Sequence, residues 1–112
     1  MRCPLENWES YVVRNAVSLE RFGISSYAFT RKDALSAINF LYLQTTPLLG
    51  GDVYVIDGDC LTPEYANWSC EQIEGELLRE FSLRSLAATK AYIETYPTPQ
   101  LEHGTIVFDF TI

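Results

Sequence analysis

The chain is poor in the residues that do chemistry near neutral pH. It has one histidine, His103, and three cysteines, Cys3, Cys60 and Cys70. A zinc site needs three or four ligands at short spacing, and these residues supply no such pattern. No CxxC pair occurs. An odd number of thiols builds no disulfide framework, so reduced thiols in a cytoplasmic setting are the expectation. A Cys60–Cys70 bridge stays open at this point. Ser25, Ser26 and Ser69 lack a Gly-x-Ser-x-Gly setting. Gly50-Gly51 lacks the Lys and Ser/Thr of a phosphate loop and reads as a source of free φ angles at a strand entrance. Asp57-Gly58-Asp59 lacks the oxygen ladder of a calcium loop and reads as a hairpin turn. The expectation is no catalytic residue, no metal and no cofactor. The rival enzyme reading would pair Asp52 or Asp57 with His103.

Basic residues are scarce too. Eight Lys and Arg against fifteen Asp and Glu leave a net charge of −7. Nucleic-acid binding wants the opposite sign. No apolar run reaches the length of a membrane helix. The opening Met1-Arg2-Cys3-Pro4-Leu5-Glu6 meets an acid too early for a secretory signal, which again points to the cytoplasm. What the chain does have is apolar material. Hydrophobic residues make up 47% and aromatics 13%, enough for one domain over residues 1–112 with its own core.

Asn7 can cap a first helix over Trp8–Phe22, with Gly23 past its end. An extended piece, Ser26–Phe29, follows. Thr30 and Asp33 resemble a capping box for a second helix, Arg31 to about Gln44, which Pro47 stops. Its inner face is Ala34, Leu35, Ile38, Leu41 and Tyr42. Phe40 and Leu43 point elsewhere, so this helix has a second apolar side to cover, with which a homodimer and a monomer are equally compatible. Asp52–Ile56 reads as a strand. Cys60-Leu61 begins its return, Pro63 breaks the pairing, and Trp68-Ser69-Cys70 resumes it. A third helix runs from Glu76 to about Tyr96 with Leu78, Phe81, Ser85, Ala88 and Tyr92 as its seam. Glu74, Glu76 and Glu80 lie near its start and Lys90 towards its end, as the helix dipole favours. In Thr105–Ile112, apolar Ile106, Phe108, Phe110 and Ile112 alternate with Val107, Asp109 and Thr111. The expected fold class is α+β, about three helices on one face of a largely antiparallel sheet of about four strands.

Charge is unevenly placed. Asp52, Asp57, Asp59, Glu64, Glu71, Glu74, Glu76 and Glu80 face one base, Arg79, within their span. That segment carries the whole net charge, and elsewhere acids and bases balance. It also holds Tyr54, Tyr65 and Trp68. Acids around aromatics suit a contact surface for a basic partner. The competing reading is a solvated edge that keeps the chain soluble. Trp68 fits a core or a contact, and Tyr65, in the connecting loop, fits a contact better. The candidate contacts are Asp57, Asp59, Glu64, Tyr65, Trp68, Glu71, Glu74, Glu76 and Glu80.

Some of these residues also carry a family resemblance. Leu48-Leu49-Gly50-Gly51-Asp52-Val53-Tyr54 is followed by Tyr65-Ala66-Asn67-Trp68-Ser69-Cys70. Then come Gly75-Glu76, Phe81, Arg84-Ser85, Ala91-Tyr92-Ile93 and Tyr96. This resembles the immunity protein 40 family of bacterial polymorphic toxin systems, over roughly Ser26 to Tyr96. The resemblance implies a cytoplasmic protein encoded beside a toxin of the contact-dependent growth inhibition type. It implies an α+β fold and inhibition by tight binding to the toxin's C-terminal domain. It brings no catalytic residues. A basic, nuclease-type toxin would suit the acidic segment. The alternatives are a small carboxylate enzyme and a generic dimerising domain.

Overall fold

A computed structural model describes residues 6–97 and 104–112. Its elements in chain order are α1 (Trp8–Asn15), β1 (Val17–Ser18), a 3-10 turn (Glu20–Phe22), β2 (Tyr27–Thr30), α2 (Arg31–Leu43), β3 (Gly50–Asp57), β4 (Cys60–Ser69), α3 (Leu78–Thr95) and β5 (Thr105–Thr111). The strands form one antiparallel sheet in the order β1-β2-β5-β3-β4. The fold is α+β, as expected, with one strand more than the sequence suggested.

That strand comes from the first helix, which is half the expected length. Asn7 caps it as read, its Oδ1 accepting from Ser10 N–H at 2.8 Å, but the helix ends at Asn15. Val17 and Ser18 pair instead with Ala28 and Tyr27. The chain then turns through Glu20–Phe22, and Gly23 at φ +83° closes the turn. The physical reason lies in Leu19. A continued helix would hold it on the same face as Trp8. The observed path buries it completely on the other side of the sheet, with Ala28 and Val107.

All three helices contribute to a core on one sheet face. Phe29, Ile38, Leu41, Val53, Leu86, Ile93 and Phe108 are buried there, with Trp8, Tyr11 and Trp68 packed against them. Each such large side chain contributes about 1.5–3 kcal/mol by burial. Thr30 Oγ1 accepts from Asp33 N–H at the start of α2. The buried stripe of α2 is Ala34, Ala37, Ile38 and Leu41. Phe40 lies under α1, stacked on Tyr11 at 4.3 Å, so α2 is covered on a second side. Tyr42, expected inward, and Leu43 are exposed. Arg31 donates to the carbonyls of Ile93 and Tyr96. The two helices are therefore antiparallel, and Arg31 rather than Lys90 supplies the cation at the end of α3.

The inner face of α3 is mostly small and hydroxylic. Ser82, Ser85 and Thr89 are buried beside Phe81, Leu86 and Ile93, while Leu78 and Ala88 stay outside. Ser85 Oγ accepts from Leu48 N–H at 3.1 Å, and Thr89 Oγ1 accepts from Trp68 Nε1 at 2.9 Å. Small side chains bring the helix close, and their hydroxyls satisfy polar groups that burial would otherwise strand.

Candidate functional site

The long hairpin β3–β4 distributes the acidic segment. Gly58, at φ +58°, and Asp59 form its turn, between Asp57 and its partner Cys60. Asp59 is fully exposed, with Arg21 Nη1 3.6 Å away. β4 then extends for ten residues, about 30 Å at strand rise. Asp57 and Asp59 therefore lie at one end of the sheet, and Glu71 and Glu74 beyond the other. The same distance separates Cys60 from Cys70. A disulfide needs Cα atoms within about 7 Å, so these thiols are unpaired. Cys3 and His103 lie outside the described residues.

β4 does not break at Pro63. As an edge strand it tolerates a missing N–H, and Pro63 pairs with Tyr54. The disturbance comes next. Asp52 pairs with Asn67 and Tyr54 with Pro63, so Glu64, Tyr65 and Ala66 all stand opposite Val53. Tyr65, expected in a loop, sits at the middle of this bulge with φ +55° and 92% of its surface exposed. A bulky side chain in the left-handed region is a rare and strained arrangement. Glu64 turns the other way and accepts from the Tyr96 hydroxyl at 3.3 Å. Burial, then the Glu64 charge, push the Tyr96 hydroxyl up. Trp68 packs inward. Its ring stacks on Tyr92 at 4.7 Å and meets Phe108 and Phe110 edge-on.

The second concentration of acids is the turn before α3. Glu71 and Glu74 are exposed, and among the described residues neither carboxylate has an ion-pair partner. Glu76 is engaged. Arg84 donates to both its oxygens at 2.9 Å, and Ile73 N–H donates at 3.1 Å. The Arg84 hydrogen bond holds the Glu76 carboxyl down at about 2. Glu80 Oε1 accepts from Leu77 N–H at 3.0 Å and so caps α3. Between these acids stand Ile73, Leu77 and Leu78, each more than half exposed. Close by, Tyr42, Leu43 and Leu83 line a groove of about 260 Å³ with Thr45, Arg79 and Ser82. Sequence reading missed this apolar corner. The signal was available in Leu77-Leu78, a large apolar pair set among Glu74, Glu76 and Glu80 at the very start of a helix, where little lies over it.

The sheet's outer face, away from the helices, holds a third group. Leu19, Phe22 and Ile24 cover part of it, over Val107, Ile56 and Leu61. Further along, Asp52 stands directly across from Asp109. Ser26 Oγ donates to Asp109 at 2.8 Å. Burial, opposed by that hydrogen bond and assisted by the Asp52 charge, pushes the Asp109 carboxyl up. Burial and both aspartates push the Tyr54 hydroxyl up as well. Asp52, Tyr54, Pro63, Tyr65 and Asn67 line a groove of about 250 Å³. The sequence marks Asp52 as part of the acidic span but not as a contact, and Asp109 only as an outward strand position.

No group of three or more His, Cys, Asp or Glu side chains among the described residues is placed to hold a metal ion. The geometry offers surfaces: apolar side chains ringed by carboxylates, and aromatics beside carboxylates. A model of the family described as immunity protein 40 matches residues 18–112. The chain belongs to the immunity protein 40 family. The match begins at Ser18, the last residue of β1, and takes in β5, beyond the Ser26–Tyr96 span that the sequence motifs covered. No curated protein and no solved structure matches. Membership of immunity protein 40 carries an immunity function, and with it a cognate toxin as partner. No helix among the described residues is long and apolar enough to cross a membrane.

Proposed function

We propose that this immunity protein neutralises its cognate toxin by binding it, with no chemistry of its own. The observation that carries this reading is the corner before α3. Ile73, Leu77 and Leu78 are exposed there among carboxylates, a pattern that suits an apolar contact centre with a charged rim. The contact runs from Glu64 and Tyr65 on β4 to Glu71, Glu74, Glu76 and Glu80. Tyr65 and Glu71 are six residues apart, at most about 20 Å of extended chain. One partner of ordinary interface size spans that, since each side contributes about 800 Å². Trp68 supports the contact from beneath. Asp57 and Asp59, at the far end, act on approach by steering a basic partner. The toxin is a basic C-terminal effector domain of nuclease type, delivered by contact-dependent growth inhibition. Carboxylates at its cleft stand where phosphates would. The complex forms in the cytoplasm of the producing cell.

The test is a stopped-flow association measurement against the toxin domain encoded immediately upstream. Glu71→Lys with Glu74→Lys should slow association about tenfold or more at low salt, and the difference should shrink as salt rises. These two residues are chosen because neither side chain is tied into the fold. Reversal of Glu76 would also break its bonds to Arg84 and Ile73. Unchanged association at low salt would remove the corner from the contact.

A further inference from the structure

The outer sheet face around Tyr65 is built at a cost to the free protein. Like charges directly opposite on neighbouring strands are destabilising, and Asp52 faces Asp109 across β3 and β5. Among the described residues, no ion pair joins either aspartate to a base. Beside them the chain strains its backbone at Tyr65 to hold an aromatic ring almost wholly in solvent. A bulge of three residues opposite one is what re-aims that side chain. Asp52 lines a groove with Tyr54, Tyr65 and Asn67, and Asp109, directly across from it, lines a second cleft with Ser25, Ser26 and Tyr27.

We infer that this face seats an arginine side chain of the toxin, as the anchor of the contact proposed above. The inference rests on that reading and adds to it the chemistry of the group received. Two carboxylates across a strand pair offer acceptors to a planar fork of N–H donors. Tyrosine rings offer the faces on which a guanidinium stacks. A bound cation relieves the repulsion between Asp52 and Asp109, so this part of the binding energy is stored in the free protein. Arginine fits better than lysine, whose ammonium is a point charge that uses neither the fork nor the stack. The side-chain amide of Asn67 completes the polar wall.

The test pairs two readouts on Asp52→Asn, Asp109→Asn and Tyr65→Ala. One is affinity for the upstream-encoded toxin domain by calorimetric titration. The other is thermal unfolding of the free immunity protein. Each variant should bind roughly 10- to 100-fold more weakly. Free Asp52→Asn and Asp109→Asn should melt no lower than the parent. An amide removes the repulsion, and its oxygen at position 109 still accepts from Ser26. Undiminished affinity in all three variants, with the parent binding normally, overturns the arginine seat and leaves the toxin-binding reading standing. Weaker binding that comes with a lower melting temperature in both aspartate variants assigns them a structural role and overturns the seat. A parent that does not bind the toxin domain overturns both readings. A parent that sediments as a dimer, dispersed by Tyr65→Ala, gives the face to a second copy and overturns the seat.

Discussion

Gly51 shows how closely β3 meets its neighbours on β4 and β5. A Cβ there would lie 2.2 Å from the Asp109 carbonyl oxygen and 2.6 Å from the Trp68 ring. Neither neighbour can move freely, because one is strand backbone and the other is wedged between Tyr92 and two phenylalanines. Gly51→Ala should destabilise the fold by at least about 2 kcal/mol, read as a lower urea midpoint with unchanged slope. A midpoint equal to the parent's would mean that β5 and Trp68 pack less tightly than described. The sequence identified the glycine pair, and Gly50 at φ +152° does use the freedom expected at a strand entrance. The crowding around Gly51 was not legible, since the atoms that crowd it come from β4 and β5, far along the chain. Tyr65 is similar. Its residue type marked it as a surface candidate, but its bulge depends on how β4 registers with β3. Register is set by pairing, which one strand's own pattern does not fix.

Among the elements, those with strong local signals were legible. The second helix was expected over Arg31–Gln44 and is found over Arg31–Leu43, since Thr30 and Pro47 mark both ends locally. The last strand followed from alternation alone. The first helix failed because its second half is claimed by a tertiary partner, β2, and by an apolar pocket on the outer sheet face. The third helix starts two residues later than the sequence suggests. Gly75, at φ +82°, and Glu76 belong to a turn in which Glu76 N–H donates to the Ile73 carbonyl. The Glu76–Arg84 bond then ties that turn to the helix, and it has a signature in pH. Glu76 falls from an ordinary value near 4.5 to about 2. A carboxyl depressed by folding stabilises the fold above its ordinary value and loses that contribution as pH falls towards the folded one. Glu76→Gln should therefore be less stable near neutrality and flatten the acid limb of stability between about 4.5 and 2. Denaturant melts across that window check it, and parallel curves for variant and parent would contradict it.

At the scale of the whole molecule, the topology decides where the charge goes. β5 lies at the centre of the sheet, between β2 and β3, and β4 forms one edge. That places the acidic hairpin and the turn after it on the rim of a molecule 43 × 37 × 22 Å in extent. Apart from Asp52 on the outer face, the acidic excess behind the net charge of −7 therefore lies along one edge and the corner beyond it. A field of that kind accelerates encounter with a basic partner and weakens with salt. The uneven charge was legible from composition. Its separation into a hairpin end, a bulge and an apolar-centred corner was not, because β4 must be laid out before its two ends are known to be about 30 Å apart. The central claim is protection by binding. It is tested most directly by expressing the protein encoded immediately upstream with and without this chain, scoring survival and co-purification in the same cells. Survival only when this chain is present, with a stable complex recovered, is the expected result. Protection without any complex, or an upstream protein that neither harms the cell nor binds, would contradict the account.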